Sequence, residues 1–551
     1  MEFKATLSLD PNKALSGWNT SVSLCSWTGV QCSLRHQRVV SLNLTGMGLQ
    51  GPISPLLANL SFLRVLDLSN NSHHGYIPHD LGRLFRLRVL RLSRNRLECP
   101  IPSTICGCRL LKIISLSNNF LLNGSIPSEL GLLRNLKFLW LGINKLTGSI
   151  PASFGNMSSL KNFSLGYNQL HGSIPSELGR LSQLNALYLH HNYFSGQIPP
   201  SLSNCTLLLD LQLHANQLTG HIPWEFGGRL SQLENLFLWG NKLRGEIPKT
   251  LANCSHLRVL DLTDNQLTGT VPVELGRLFR LERLFLRRNQ LVSGSTTTLP
   301  ILTALSNCPF LEQIHLGANH LTGTLLSSIQ QLSTQLSVFD LSHNEIGGKI
   351  PPEIGKLANL TYLNLEWNIF NGSIPSTLGR LQKLERLYLG RNKLQGSIPM
   401  EIGGLQTLGL LSLSQNKLSG QIPHSFGQLQ QLRDLYLDQN ELSGNISPSI
   451  GDCLRLEVLD LSHNRFHGNI PRTVAGLRNL QFYFNLSSNL LEVSLPLEIS
   501  KMTMVQEINV AVNRLTGSIP SGLESCTEVQ YLNLSWNSFD LMVQFQIHLG
   551  N

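Results

Sequence analysis

The side chains in this sequence best suited to chemistry are aromatic residues, histidines and arginines that stand at fixed distances before a recurring asparagine. Aromatic rings and arginine offer a large contact area and planar hydrogen bonding at little cost in rotamer freedom, as binding hot spots require. We therefore predict non-covalent ligand recognition, while polar residues at exposed positions can also be there without any function. The principal candidates are Trp140, Tyr167, Tyr188, His190, His191, His214, Phe237, Trp239, Asp261, Asp264, Phe285, Arg287, Arg288 and His315, with Glu366, Trp367, Tyr388, Arg391, Tyr436, Asp438, Asp460 and His463 further along.

Catalytic motifs give no support for an enzyme in this segment. The stretch from Gly46 to Gly51 fits G-x-G-x-x-G, but Pro-Ile follows it instead of the helix that would present backbone amides to a phosphate. There is no GxxxxGK[ST], HExxH or GxSxG motif and no kinase catalytic loop. The pairs His73-His74 and His190-His191 lack carboxylates at ligand spacing, so we predict no metal site and no cofactor.

The ten cysteines fall into two groups. Cys25 and Cys32 lie in a short segment outside the recurring pattern, and we predict a disulfide between them. Cys99 and Cys106 form either a second disulfide or two thiols, because spacing alone does not fix connectivity. The other six lie eleven residues before a recurring asparagine, which predicts small, buried free thiols: Cys108, Cys205, Cys254, Cys308, Cys453 and Cys526.

Fourteen N-x-S/T sequons favour a secreted protein, although a sequence rich in Asn and Ser also generates sequons by chance. Sequons at Asn43, Asn70, Asn485 and Asn533 would place glycans at the two ends of the predicted ligand-binding face. Between these ends, from repeat 3 to repeat 18, we predict a face without sequons that is open to a ligand. The predicted glycosylation sites are Asn19, Asn59, Asn123, Asn156, Asn204, Asn253, Asn359, Asn371 and Asn445.

The element that must position all these residues is a repeat of about 24 residues, as in LERLYLGRNKLQGSIPMEIGGLQT at 384–407. The pattern L-x-x-L-x-L-x-x-N at this length is typical of leucine-rich repeats, in which each unit is a strand plus a return segment that cannot bury its own leucines. The predicted fold is an α/β repeat solenoid, a right-handed, curved and twisted superhelix of about 21 repeats. Its parallel sheet lines the concave side, where the x positions of the strands are exposed.

Twenty ladder asparagines set the register of the repeats. Asparagine suits this position because its amide can both donate hydrogen bonds to and accept them from backbone groups of neighbouring turns. Losing one should leave backbone groups unsatisfied, at about 1–3 kcal/mol. They stand at positions 71, 95, 119, 144, 168, 192, 216, 241, 265, 289, 319, 344, 368, 392, 416, 440, 464, 489, 513 and 537.

The pattern defines three segments. Residues 1–38 are predicted to form a cysteine-paired N-terminal cap, in which Phe3 to Leu15 could form a short amphipathic helix broken near Asp10-Pro11. Residues 39–541 are repeats, and residues 542–551 form a truncated or irregular tail. One interval, from Asn289 to Asn319, is 30 residues long. Its Ser/Thr-rich insertion is either a functional loop or a tolerated surface insertion.

Charge and hydropathy exclude further classes. The net charge is +9, but Lys and Arg occur at one or two per repeat, with Arg287 and Arg288 as the tightest pair. This scatter predicts no basic stripe and no nucleic-acid binding. No apolar run of eighteen residues occurs and no signal peptide precedes Phe3, so any membrane segment is expected outside this sequence.

The repeats resemble those of plant receptors. The motif L-x-G-x-I-P occurs as LTGSIP (146–151) and LQGSIP (394–399), and SLCSWTGVQC (23–32) is similar to the N-terminal cap of plant leucine-rich-repeat receptor-like kinase ectodomains. Residues 51–71 and 305–351 look like the subfamily that contains the receptors for bacterial flagellin and elongation factor.

The resemblance implies an immune receptor on the outer face of the plasma membrane. Its concave face would bind a microbial peptide and recruit a shorter leucine-rich-repeat co-receptor kinase, and a membrane helix and Ser/Thr kinase domain would follow outside these 551 residues. A receptor for an endogenous peptide hormone would share every feature above. A soluble inhibitor of cell-wall-degrading enzymes uses the same repeat, but such proteins have roughly half this length.

Overall fold

A computed structural model describes residues 2–294 and 297–540. It comprises two compact units, which divide between Leu281 and Glu282 and are called unit 1 and unit 2 below. Each unit is a leucine-rich-repeat solenoid, as the sequence predicts, in which strands and short helical return segments alternate. The predicted tail at 542–551 lies outside the described residues.

In unit 1 a parallel sheet carries one strand per repeat, and this surface is called its strand face. The strands stack without a shift, so that Phe163 pairs with Leu139 of the preceding repeat and Leu187 of the next. The first strand, Val30–Cys32, is antiparallel to its neighbour. The strands are Val30–Cys32, Val39–Asn43, Val65–Asp67, Val89–Arg91, Ile113–Ser115, Phe138–Trp140, Asn162–Ser164, Ala186–Tyr188, Asp210–Gln212, Asn235–Phe237 and Val259–Asp261.

Unit 2 has a strand face of the same kind, in which all strands are parallel. Its register is also unshifted, with Phe339 paired to Ile314 and to Leu363. The strands are Arg283–Phe285, Gln313–His315, Val338–Asp340, Tyr362–Asn364, Arg386–Tyr388, Leu410–Ser412, Asp434–Tyr436, Val458–Asp460, Tyr483–Asn485, Glu507–Asn509 and Tyr531–Asn533.

Shorter strands follow the ladder asparagines and end near the glycine of the G-x-I-P motif, as the extended stretch in each repeat predicts. In unit 1 they are Gln50–Pro52, Ser72–Gly75, Arg96–Cys99, Leu121–Ser125, Lys145–Thr147, His171–Ser173, Tyr193–Gln197, Gln217–Gly220, Lys242–Gly245 and Gln266–Leu267. In unit 2 they are Thr322–Thr324, Glu345–Lys349, Ile369–Gly372, Lys393–Gly396, Lys417–Gly420, Glu441–Gly444, Arg465–Gly468, Leu490–Leu491, Thr516–Gly517 and Ser538–Phe539.

The return segments are mostly 3₁₀-helices of a single five-residue turn, because a short 3₁₀ turn fits between the proline of G-x-I-P and the next core leucine. In unit 1 they are Leu24–Ser26, Pro55–Asn59, His79–Arg83, Ser103–Gly107, Ser128–Leu132, Ala152–Asn156, Ser176–Arg180, Pro200–Asn204, Lys249–Asn253 and Val273–Arg277. In unit 2 they are Ser327–Gln331, Pro352–Lys356, Ser376–Arg380, Met400–Gly404, His424–Gln428, Pro448–Asp452, Leu497–Lys501 and Ser521–Ser525. The α-helices are Glu2–Ala5, Glu225–Arg229, Pro300–Leu305 and Arg472–Ala475.

The ladder asparagines bond as predicted. Asn168 donates from Nδ2 to the carbonyls of Leu141 and Leu165, at 3.1 and 2.9 Å, and its Oδ1 accepts from the amide of Leu146 at 3.0 Å. The same triad of bonds recurs through both units, for example at Asn392. Each asparagine therefore joins two consecutive repeats and accepts from a backbone amide that would otherwise be buried without a partner. The carbonyls are shared between neighbouring ladder asparagines, since Leu141 also accepts from Asn144 and Leu165 from Asn192.

The residue just before each ladder asparagine adopts a left-handed backbone. Tyr167, His191, Trp367 and Arg391 have φ between 51° and 58°, a region that residues other than glycine rarely occupy. The conformation is held by the next repeat, since the Tyr167 amide donates to the carbonyl of His190 at 3.0 Å. This turn aims one side chain per repeat out over the strand face.

The N-terminal segment is less helical than predicted. Helix Glu2–Ala5 stops after one turn because Leu9 forms a bridge with Gln50 of the first repeat, which commits that backbone to extended structure. Trp18 stacks on Trp27 with ring centroids 5.0 Å apart. The segment packs on the first repeat through these apolar side chains.

Cysteine states differ between the groups. Cys25 and Cys32 form a disulfide, as predicted. Of the two alternatives for Cys99 and Cys106, the structure has two free thiols and not a second disulfide. Cys99 takes the place of a repeat glycine, with φ of 67°, and is exposed on an edge strand, while Cys106 sits on a return helix. The six cysteines phased with the ladder are confirmed as buried thiols, and burial raises the pKa of Cys254 and Cys453 to about 12.

The insertion before Asn319 does not leave the repeat entirely. Helix Pro300–Leu305 buries Ile301, Leu302 and Leu305 in the core. This part of the extra length therefore forms a longer return segment. Within residues 2–294 and 297–540, no helix has the length and apolar character needed to cross a membrane.

Candidate ligand-binding surface

Three positions in each repeat point out from the strand face: those four, two and one residues before the ladder asparagine. The first ends the strand, and the other two lie in the left-handed turn that follows it. Neighbouring strands are ~4.8 Å apart, so equal positions in successive repeats form rows with the spacing of stacked aromatic rings.

Five rings in unit 1 use these rows to form a continuous stack, which we call the aromatic column: Tyr167, His190, His191, His214 and Trp239. His214 lies between His190 and Trp239, 4.6 Å from each centroid and within 19° of parallel. Tyr167 stacks on His191 at 4.2 Å. This pair meets the other stack edge-on, through Tyr167 against His190 and His191 against His214. The sequence places the candidates on one face, and the structure joins these five in one surface.

Glycine makes room for this column. A Cβ at Gly166 would approach Cε1 of His190 to 2.6 Å, closer than real contacts allow. The rings of Tyr188 and Phe237 extend the surface at its sides, 6.3 Å from His190 and 6.0 Å from His214. Tyr188 also donates to Asp210 Oδ2 at 3.3 Å. Desolvation by burial, and then the Asp210 charge, raise the pKa of Tyr188 to about 12.

The column is electrically neutral except in acid. Desolvation, with a smaller contribution from His191, lowers the pKa of His190 to about 4. Desolvation and the neighbouring imidazoles lower the pKa of His214 to about 3. Nδ1 of both rings is buried without a hydrogen-bond partner in the described residues, so a proton there would have no acceptor. Apolar, aromatic contact is thus what this surface offers a ligand.

These shifts predict acid sensitivity. Both folded pKa values lie below the value of about 6.5 expected in the unfolded chain, so the unfolded state binds more protons between pH 6.5 and about 4. As the pH is lowered across that window, the free energy of unfolding should therefore decrease, by roughly 2 kcal/mol after allowance for solvent screening. Urea denaturation at several pH values measures this slope. Changing His190 and His214 to Phe should flatten it, and the same change at exposed His171 should not; a double variant that keeps the full slope would contradict the assignment.

Unit 2 carries a different stack, formed by His343, Trp367 and Arg391. The Arg391 guanidinium lies 3.7 Å from the centroid of the Trp367 ring, and His343 stacks on the other side at 5.0 Å. Desolvation, followed by the charge of Arg287, lowers the pKa of His343. This surface combines a cation–π pair with nearby arginines and so differs in charge from the aromatic column.

An acidic residue lies beside this stack. Asp340 is 2% exposed and accepts from the hydroxyl and amide of Ser342 at 2.7 and 3.0 Å. Desolvation alone would raise the pKa of Asp340, but His315, 3.8 Å away, and the two bonds from Ser342 outweigh it and lower the pKa. His315 also packs 4.9 Å from the Phe285 ring.

Several candidates stand apart from these clusters. Trp140 contacts Phe138, with ring centroids 5.3 Å apart. Asp261 accepts a hydrogen bond from the Thr263 amide at 3.0 Å, and Asp264 is exposed.

In unit 2, Arg287 is half-buried and Arg288 is exposed. Tyr388 packs against Tyr362, with ring centroids 5.6 Å apart. Later repeats hold Glu366, Tyr436, Asp438, Asp460 and His463, which follow the same rows.

Sequence reasoning missed Asp340 and His343. Both obey the rule that finds the other candidates, since they stand four and one residues before Asn344. Applying the row positions to every repeat would have found them. Within the described part of the chain, no group of three His, Cys, Asp or Glu side chains is arranged to hold a metal ion.

The predicted face without sequons is wrong at one position. Asn162 begins strand Asn162–Ser164 and pairs with Ala186, so a glycan there would stand on the strand face one strand from Tyr188. Of the nine predicted glycosylation sites, Asn19 and Asn359 are half-buried. The other seven are exposed: Asn59, Asn123, Asn156, Asn204, Asn253, Asn371 and Asn445.

Two depressions on the surface offer other places for a ligand. One, of about 520 Å³ in unit 1, is lined by serines, Arg94, Trp140 and the sequon residue Asn70. The other, of about 440 Å³ in unit 2, is lined by His424 and the sequon residue Asn445. A glycan at either asparagine would fill the depression, so the aromatic column and the stack of unit 2 remain the better candidate sites.

Family models match most of the sequence. The description "Leucine rich repeat N-terminal domain" fits residues 1–33 and "Leucine-rich repeat region" fits residues 38–196. Models described as leucine rich repeats match residues 231–291, 335–357, 359–381, 383–442 and 455–477.

Among curated proteins, similarity is local. The chain is 49% identical over 86 residues to the LRR receptor-like serine/threonine-protein kinase EFR of Arabidopsis thaliana, which is 15% of the chain and 8% of that protein. It is 34% identical over 140 residues to the receptor-like kinase GSO2 of the same species, 25% of the chain and 9% of that protein. The matched segments thus span less than a tenth of these relatives.

Among solved structures, similarity extends over the chain. The Arabidopsis receptor kinase HAESA, in complex with the peptide hormone IDA and the co-receptor SERK1, is 37% identical with a TM-score of 0.86, covering 98% of this chain and 89% of that one. The complex PEPR1-AtPEP1 is 34% identical with a TM-score of 0.80, covering 98% and 82%. The plant peptide hormone receptor RGFR1 with RGF2 is 31% identical, with a TM-score of 0.76 and coverage of 94% and 95%.

Proposed function

Because the chain belongs to the ectodomains of plant leucine-rich-repeat receptor-like kinases, we propose that its unit 1 strand face binds an extended peptide of microbial origin. The ectodomain itself is not catalytic. Peptide capture outside the cell would be coupled to a Ser/Thr kinase domain elsewhere in a longer protein.

The observation that carries this proposal is the aromatic column. Large rings that are held rigid by stacking lose little entropy on binding, and they suit the apolar and aromatic side chains of an extended peptide. Rows ~4.8 Å apart provide successive contacts for such a chain. The stack of His343, Trp367 and Arg391 on unit 2 is a separate candidate for an acidic or aromatic side chain.

The proposed setting is the outer face of the plasma membrane, with a shorter leucine-rich-repeat kinase as co-receptor. Support comes from the solved HAESA complex, which contains both a peptide and the co-receptor SERK1. The microbial origin of the ligand is supported by the 49% identity to EFR over 86 residues together with the immune-receptor resemblance of residues 51–71 and 305–351.

A second candidate function is reception of an endogenous peptide hormone. It is favoured by the similarity to HAESA bound to IDA, which covers 98% of this chain. Both functions use the same surface and differ only in the source of the peptide.

The test is capture by the secreted, glycosylated ectodomain from bacterial extracts, plant peptide fractions and fungal wall-degrading enzymes, with mass spectrometry of what is retained. We expect a bacterial peptide, whose retention is lost when Trp239 is changed to Ala. An endogenous plant peptide would favour the second candidate. Retention of an intact hydrolase, insensitive to the Trp239 change, would contradict both and indicate an inhibitor.

A further inference from the structure

Positive charge is concentrated in the first repeats. Residues 31–165 contain fifteen Lys and Arg against four Asp and Glu, whereas the rest of the chain contains 28 against 30. This stretch therefore carries a net charge of +11 and the rest of the chain −2, which together give the net charge of +9. This overturns the expectation of scattered charge without a basic stripe.

Five of these residues form a single line, which we call the basic row: Arg64, Arg88, Lys112, Lys137 and Lys161. Each stands seven residues before a ladder asparagine, in five consecutive repeats. Backbone hydrogen bonds of 2.7–2.8 Å run directly between them, from each amide to the carbonyl of the preceding member. The row thus presents one positive charge per repeat, ~4.8 Å apart, along one border of the unit 1 strand face.

The basic row is accessible and unneutralised. Arg64, Arg88 and Lys112 are exposed and Lys137 and Lys161 half-buried. None of the five side chains has an ion pair or hydrogen bond to another described residue.

The four carboxylates of the same stretch lie elsewhere. Asp67 is buried and paired with Arg91, and Asp80 is paired with Arg83 on a return helix. Glu98 and Glu129 lie on an edge strand and a return helix. In the next three repeats of unit 1 the same position holds Asn185, Leu209 and Glu234, which end the run of five cations before Arg258 follows.

Apolar side chains accompany the charges on the side nearer the strand face. Val65, Val89, Ile113 and Phe138, each directly after a member of the row, are half-buried. On the opposite side the Arg86 guanidinium lies 4.3 Å from the Phe62 ring. The border therefore combines a line of cations with a strip of apolar surface.

We propose that the basic row is a binding site for a linear acidic polysaccharide of the polyuronate class. Such a polymer carries a carboxylate on each sugar, to pair with the cations, and apolar ring faces, to lie against Val89, Ile113 and Phe138. This site goes beyond the proposed peptide receptor and shares only its extracellular setting. It would hold the ectodomain on wall polysaccharide while the aromatic column stays open.

The geometry favours this class over other polyanions. Duplex nucleic acid carries one charge per ≈ 1.7 Å of axis on two strands and would need several parallel rows of cations. A membrane surface is two-dimensional and attracts clusters of basic residues, which a single row does not provide. A single-stranded polymer with one charge per monomer matches one charge per repeat.

The test measures binding of the secreted ectodomain to polygalacturonate and to the fully methyl-esterified form of the same polymer. We expect binding to the acid form only, weakening with added salt. The triple variant Arg88→Gln, Lys112→Gln, Lys137→Gln should lower the affinity about tenfold or more, because each lost charge also removes counterion release.

The matched control is Lys145→Gln, Lys242→Gln, Arg244→Gln, which removes the same charge from exposed edge strands of unit 1. It should change the affinity less than about twofold, because charges more than a Debye length from the site are screened. Equal losses in the two triple variants would overturn the site. Equal binding of the methyl ester, or tighter binding of duplex DNA or phosphatidylserine vesicles, would overturn the ligand class. Unaltered circular dichroism and peptide capture by both variants separate this result from misfolding and from the peptide proposal.

Discussion

Changing both Tyr188 and Trp239 to Ala should weaken peptide binding by about 100- to 1000-fold, since two hot-spot rings contribute about 2 kcal/mol each and 1.4 kcal/mol is tenfold. Trp239 ends the aromatic column and Tyr188 extends its side, so their removal shortens the apolar surface from both directions. The effect should appear mainly in the dissociation rate.

The fold should survive this change because both side chains project outward from the strand face. Titration calorimetry with the captured peptide measures the loss. A matched control is the double variant Tyr76→Ala and Trp224→Ala, which removes one Tyr and one Trp that are 53% and 64% exposed away from the strand face. Unchanged affinity in the first double variant would move the peptide site off the aromatic column.

Changing the ladder residue Asn192 to Ala should lower the free energy of unfolding by about 1–3 kcal/mol, because the buried Leu170 amide loses its partner. Asn192 donates from Nδ2 to the carbonyls of Leu165 and Leu189, at 3.0 and 3.1 Å. Its Oδ1 accepts from the Leu170 amide at 3.0 Å. The Leu165 and Leu189 carbonyls each keep a second donor, from Asn168 and Asn216. A single substitution thus removes one of the links between two repeats.

The direct measurement is hydrogen exchange of the peptide that contains Leu170, together with urea denaturation. Faster exchange there, with little change in distant repeats, is expected because a repeat array is held by nearest-neighbour interfaces. The exposed residue Gln183 in the same repeat provides the control substitution to Ala. Slow exchange at Leu170 in the Asn192 variant would contradict this prediction, because it would show that another acceptor or a water replaces the lost Asn192 Oδ1.

The fold follows from the sequence because one period repeats almost without interruption. Leucine spacing fixes which side chains are buried, and the ladder asparagine fixes the register, so the strand faces and their exposed rows could be predicted. The 3₁₀ return segments could not, since their conformation depends on how the preceding proline and the next core leucine are packed. The N-terminal helix is shorter than predicted for a similar reason, because Leu9 pairs with Gln50 far along the chain.

The surface was harder to predict than the core. Arg64 and Arg88 are 24 residues apart in sequence but adjacent in space, so a line of charge looks scattered until the repeats are stacked. Asn162 was overlooked because the sequon test considered the centre of each strand and not its first residue. The grouping of five rings into one column depends on ring orientations, which spacing does not fix.

The left-handed turn before each ladder asparagine has a consequence for how such proteins diversify. Its backbone is imposed by hydrogen bonds from the adjoining repeat, so residues as different as Ile143, Ala215 and Gln415 occupy it with nearly the same φ. Because the hydrogen bonds of the adjoining repeat hold the left-handed backbone whatever the residue, a mutation at this position alters recognition with little change in the free energy of unfolding. Repeats can then be duplicated or exchanged without loss of the fold, and new binding specificities can arise one repeat at a time, in evolution or in a designed library.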